Sequence, residues 1–264
     1  MNTDCAFWIG STHPVCQDYV IAGQGTVILC DGCSSSPDTD IGARLLARSA
    51  ARLPLNALDG PEQAIRAAAE CAGHLGLPET CLDATLLTLH AENGAFTAAC
   101  SGDGVIALGR QDGSINVSLV AFAASYPEYP SYLLDDTRRA RWTAQAGNEK
   151  TRQHWTLTAE GAVIEGETRE SCDAVERVFG TAADICFAAV LSDGVHSFTQ
   201  TVQTETSRTT VAVPVMAVLA GLLAFRSSKG QFVGRRVAAF RKECQRRGWQ
   251  HSDDVSVGVV WLGG

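Results

Sequence analysis

With 264 residues, 45% of them hydrophobic, the chain is long enough to bury a sizeable core as one large domain or two small ones. Only 8 Pro, 25 Gly and 19% charged residues exclude a disordered or fibrous chain. Lys and Arg number 21 against 29 Asp and Glu, and the formal net charge of −8 argues against nucleic acid as a partner, which would require a basic field.

In chain order, strands are predicted at Cys5–Ile9, Tyr19–Ala22 and Val27–Cys30, the last running into an Asp31-Gly32 turn. Two helices follow. Pro37-Asp38-Thr39-Asp40 supplies start signals for the first, with Ile41, Leu45 and Leu46 on its apolar edge; Pro61 opens the second, in which Ile65, Ala68, Ala72 and Leu75 recur at helical spacing. The middle is strand-rich, with Thr85–Leu89, Ala95–Cys100, Val105–Leu108, Val117–Phe122, His154–Thr158 and Ile185–Leu191 read as antiparallel hairpins around Asn93-Gly94 and Asp112-Gly113. The stretch Ser125–Arg152, with three tyrosines and the cluster Arg138-Arg139-Ala140-Arg141, reads as a surface loop or flap. The apolar run Val211–Phe225 is too short for the roughly 20 residues that span a bilayer and is interrupted by Pro214 and Gly221, so it is expected to be a buried helix. A second late helix carries Val233, Val237, Phe240 and Cys244 opposite Arg235, Arg236, Lys242 and Arg246, and a strand at Val255–Leu262 follows. Helix pairs around a strand-rich middle give an α+β layered architecture.

Ten cysteines, at positions 5, 16, 30, 33, 71, 81, 100, 172, 186 and 244, lie scattered in apolar stretches with no secretory signal ahead of them, and read as reduced thiols in a cytoplasm. Cys30-Asp31-Gly32-Cys33 has the CxxC spacing, but no second pair or zinc-spaced His accompanies it, and packing at a strand end is the simpler role for Cys30.

The acidic residues carry the chemical signal. Asp31 and Asp193 each follow an apolar strand and precede a glycine, and Asp253 stands just ahead of the strand at Val255. Converging carboxylates at buried strand ends repel one another unless a cation lies between them, and an oxygen-only donor set favours Mg²⁺ or Mn²⁺ over Zn²⁺.

Seven segments bear on this in order: Gly10-Ser11-Thr12-His13-Pro14-Val15-Cys16-Gln17-Asp18, Val27–Gly32, Gly42-Ala43, Asp83–Leu87, Ser101-Gly102-Asp103-Gly104, Leu191–Gly194 and His251–Val257. Taken together they resemble the metal-dependent protein serine/threonine phosphatases of the 2C type, in a divergent bacterial branch. The resemblance runs through residues 1–264 as a single phosphatase 2C-like domain. It implies a four-layer α-β-β-α sandwich, two antiparallel sheets flanked by helix pairs. It further implies a cytoplasmic signalling hydrolase that releases phosphate from phosphoserine or phosphothreonine, acting on proteins phosphorylated by a serine/threonine kinase. By similarity Asp31 and the Gly32 carbonyl would bind two Mn²⁺ or Mg²⁺ ions together with Asp193 and Asp253, while Asp18 would hold metal-bound water. Asp103 matches a third-metal ligand, but Ser197 stands where relatives place an aspartate, so a third ion is expected to bind weakly. His13 occupies the place of a phosphate-clamping Arg; donation to phosphate, proton donation to the leaving group and a structural hydrogen bond are all open to it. Two other functions fit the same residues: a module that binds a phosphorylated partner without turnover, and a hydrolase of a small phosphorylated metabolite. Retention of three costly carboxylates favours an enzyme.

Overall fold

A computed structural model describes residues 1–53, 61–122, 126–146, 149–158, 163–171, 175–203 and 207–263. Cys172 and part of the 125–152 stretch lie outside the described residues. The early strands are β1 (Asn2–Trp8), β2 (Asp18–Gly23), β3 (Thr26–Asp31), β4 (Leu86–Glu92), β5 (Ala95–Ser101), β6 (Gly104–Arg110) and β7 (Ile115–Phe122). They are followed by β8 (Glu149–Leu157), β9 (Val163–Ser171), β10 (Glu176–Thr181), β11 (Ile185–Leu191), β12 (Phe198–Gln203), β13 (Arg208–Ala212), β14 (Trp249–His251) and β15 (Val255–Trp261). The helices are α1 (Thr39–Ala50), α2 (Glu62–His74), α3 (Asp136–Ala146), α4 (Val215–Leu222) and α5 (Phe232–Arg247).

The strands form a seven-stranded sheet in the order β1-β15-β11-β6-β7-β8-β9 and a five-stranded sheet in the order β10-β5-β4-β3-β2. Pairing is antiparallel, as the hairpin spacing predicts. Both sheets bury two faces, and three apolar clusters show where. Leu29, Leu87, Ile106 and Val190 lie between the sheets. On the outer face of the smaller sheet, Ile28 and Leu86 meet Leu46, Ile65 and Ala68 of α1 and α2. On the outer face of the larger sheet, Leu191 and Val257 meet Leu219, Val237 and Phe240 of α4 and α5. Alternate residues of one strand thus feed different cores: Ile28 faces the helices and Leu29 faces the other sheet. The four layers expected from the sequence are present.

Three expectations change in detail. First, β12, β13 and β14 form a small third sheet beyond the two that were expected. Second, the apolar run Val211–Phe225 is not one helix: Val211 lies in β13, whose residues are exposed, and the helix begins only after Pro214. Proline suits a helix start but lacks the N–H that a helix interior needs. Third, the 125–152 stretch is not a solvated loop over its described part. Tyr129, Tyr132 and Trp142 are buried against the inter-sheet core, α3 occupies Asp136–Ala146, and β8 begins at Glu149. Among the described residues no helix is long and apolar enough to cross a membrane.

Candidate metal centre

Strand direction brings the acidic residues to one end of the sandwich. β2 begins at Asp18 and β3 ends at Asp31, and these two residues are register partners across the hairpin. In the facing sheet β11 ends at Leu191, two residues before Asp193, and β15 starts just after Asp253 and Asp254. The turn from β5 to β6 crosses between the sheets at the same end and carries Asp103 between Gly102 and Gly104, whose φ angles of 94° and 142° demand glycine. Gly194 is required by close approach instead, because a Cβ there would stand 1.8 Å from the Asp254 carbonyl oxygen.

Asp31 sits among the carboxyls of Asp18, Asp193 and Asp103, close enough for their charges to act on it. Burial, then the charges of Asp18, Asp193 and Asp103, hold its carboxyl well above the usual range. Burial pushes Asp18 up to about 7, although the Ser192 hydroxyl, 2.8 Å from its Oδ2, opposes the shift. Asp103 is raised well above its ordinary value by burial and by Asp193, and Asp253 is raised by the same two causes. Four carboxyls with raised proton affinity at one place mean that their negative charge is under-compensated by the protein itself.

Among the described residues no three His, Cys, Asp or Glu side chains close a metal cage by themselves. The donor set nevertheless fits a hard cation. It is built of oxygen atoms, and Oδ1 of the buried Asp18 has no hydrogen-bond partner, an arrangement that a cation or its water would satisfy.

The surroundings are tied down by a residue the sequence reading passed over. Asp254 is buried; its Oδ1 accepts the Gly10 N–H at 2.7 Å and its Oδ2 the Gln17 N–H at 2.6 Å, which fixes the 10–17 loop at the mouth of the site. His13 lies in that loop with Nδ1 3.0 Å from Asp254 Oδ2 but without a hydrogen bond to it, Nε2 3.6 Å from Asp253 Oδ1, and the Ser34 hydroxyl 3.4 Å from Nε2. The Gly32 N–H bonds to the Gln17 carbonyl at 3.2 Å, so the same loop also grips the end of β3. Ser192 joins both sheets, donating to Asp18 and accepting the Ser256 N–H at 2.9 Å.

Other candidates sort away from the centre. The Ser197 hydroxyl donates to the Gly194 carbonyl at 2.8 Å. His251 packs its ring on Trp8 and Phe198. Cys30 is buried, and burial pushes its thiol well above the usual range; it and Cys33 are both free.

No family model matches the sequence, and no curated protein is significantly similar to it. Solved structures do match in fold. The Mycobacterium tuberculosis serine/threonine phosphatase PstP/Ppp superposes with a TM-score of 0.52 over 100% of both chains at 17% identity. The Staphylococcus aureus serine/threonine phosphatase Stp1 gives 0.53 at 11% identity, covering 100% of this chain and 96% of that one. The chain has the fold of the bacterial 2C-type serine/threonine phosphatases. PppA, described as a key regulatory component of T6SS in Pseudomonas aeruginosa, gives 0.52 at 15% identity over 98% of this chain and 97% of that one. The PstP catalytic domain has also been solved in complex with 2 manganese ions, with a TM-score of 0.52 at 17% identity over 97% of this chain and 96% of that one.

Proposed function

We propose that residues 1–264 form one phosphatase 2C-like domain that hydrolyses phosphoserine or phosphothreonine in protein substrates with the help of Mn²⁺ or Mg²⁺. The observation that carries this reading is the convergence of Asp18, Asp31, Asp103, Asp193 and Asp253, with raised proton affinity at four of them, at one end of a phosphatase sandwich. Asp31, Asp193 and Asp253 would hold two ions with the Gly32 carbonyl, and Asp103 would contribute to a weak third. Bound ions of this kind acidify a water and offset the charge of the phosphoryl oxygens. Asp18, oriented by Ser192, would accept a hydrogen bond from that water. His13 would give a proton or a hydrogen bond on the phosphate side, kept in reach by Asp254. Peptide substrates would meet the segment 126–146, whose Tyr129, Pro130 and Arg139 line a cavity of about 240 Å³ with Lys150 of β8, beside Gly102. The nine free cysteines among the described residues suit a reducing cytoplasm.

The test is phosphate release from phosphoserine and phosphothreonine peptides. Turnover should need added Mn²⁺ or Mg²⁺ and stop in chelator. Asp31→Ala should lose more than the roughly 10–100-fold typical of groups that only orient a ligand. Turnover that survives chelator refutes the metal reading, and saturable phosphopeptide binding without turnover in any metal would show a binding module instead.

A further inference from the structure

Charge is unevenly distributed along this acidic chain. Eight of the 21 Lys and Arg fall between Arg226 and Arg247, with Glu243 as the one acid among them, which leaves 13 cations to 28 acids elsewhere. Most of this segment is α5, on the outer layer of the larger sheet, where Arg235, Lys242 and Arg246 stand at i, i+7 and i+11 and share one exposed face. That row is about 16 Å long at 1.5 Å per residue. At its start a cavity of about 310 Å³ opens, lined by Phe225, Arg226, Phe232, Arg235, Arg236 and Ala239 among others. Arg236 is 11% exposed; its Nη2 is 2.6 Å from Glu243 Oε1, and its buried Nε has no hydrogen-bond partner. Glu243 is thereby committed. Among the described residues no other cation of this segment has a carboxylate within ion-pair distance.

The occupant follows from what the surface lacks. A helix that enters a membrane surface needs its apolar face outward, but Val233, Val237, Phe240 and Cys244 are buried in the core. A nucleic acid would continue past the short row onto a surface rich in acids, where its phosphates are repelled. The α5 N-terminal amides offer no free anion site either, because Asp4 Oδ2 accepts the Val233 N–H at 2.6 Å. The side chains remain, with a spacing that spans about five residues of extended chain.

We propose that the α5 face and the Arg226–Arg235–Arg236 cavity form a docking site for a short acidic segment of a partner protein. The site shares no residue with the acidic centre and does not depend on the phosphatase reading. It is tested with a fluorescein-labelled octapeptide of Glu and Asp, read by anisotropy at low ionic strength. Saturable binding is expected, weakened roughly tenfold or more by the combined Arg226→Glu, Arg235→Glu and Arg246→Glu substitutions and by raised salt. Arg52→Glu, an exposed reversal elsewhere, should leave it intact. The three arginines are exposed, and a thermal melt matching wild type confirms the fold. Absence of binding at low salt, or binding indifferent to the triple reversal, overturns the proposal. So does an oligothymidylate or a phosphatidylserine vesicle that binds through the same arginines more tightly than the peptide.

Discussion

Both oxygens of Asp254 accept backbone N–H groups, while the side chain of its neighbour Asp253 is 43% exposed and has a carboxylate oxygen left for the cleft. Two adjacent acids therefore do different work. Asp254→Asn should loosen the 10–17 loop and lower stability by about 1–3 kcal/mol, as expected when buried N–H groups lose a charged acceptor; urea unfolding measures this. Asp253→Asn should leave the urea midpoint in place and weaken Mn²⁺ binding by calorimetry. Asp31, Asp103 and Asp193 are legible in the sequence because each precedes a glycine at a strand end or turn. Asp254 is not, since which of two consecutive acids points inward depends on the register of β15, and a shift of one residue exchanges them.

At the level of elements, the segment 126–146 is bolted to the site through Asp83. Both of its carboxylate oxygens accept Arg138 Nη2, at 2.8 and 2.9 Å, and they also take the hydroxyls of Ser131 and Ser36 at 2.6 and 2.8 Å. Its carbonyl binds the Cys33 N–H at 2.8 Å, two residues after Asp31. Arg138→Ala should cost roughly 2–3 kcal/mol in urea unfolding, below the 3–5 of a fully buried pair because Arg138 keeps some solvent. Arg141→Ala, at an exposed position, should change stability by less than about 0.5 kcal/mol. The three arginines thus do not act as one group: Arg138 meets a buried acid, Arg139 stands 3.2 Å from Glu128, and Arg141 is exposed. The charge run in the sequence shows polarity without partners; only the fold reveals that Arg138 meets a buried acid 55 positions earlier. Long periodic elements such as α2 and α5 are legible for the opposite reason, because their partners lie three and four residues away. The strands β12 and β13 escape notice because their alternation is Thr and Gln against Thr and Val, with little apolar contrast.

For the whole molecule, the raised carboxyls tie stability to pH. A carboxyl whose folded pKa lies above its unfolded value favours the folded state while protonated, so its contribution is present below about 4 and lost as pH rises through the folded value. For Asp18 that value is about 7, and Asp31 and Asp103 shift the same way. Chelator-treated protein should therefore melt at a lower temperature at pH 8 than at pH 5.5, and Mn²⁺ should raise the melting temperature more at pH 8. A melt that is flat between the two, with and without metal, would contradict the charge clustering.

The position of β15 has a consequence for synthesis. It lies inside the larger sheet between β1 and β11, with Asn2 paired to Trp261 and Leu191 to Val257. During translation β1 waits through the making of all the strands up to β15 without a ladder partner, and β11 has β6 on one flank alone. Such long-range closure is slow and leaves sticky edges exposed in the meantime. The acidic pocket, which needs Asp253 and Asp254, thus comes together only once β15 has been made and has entered the sheet.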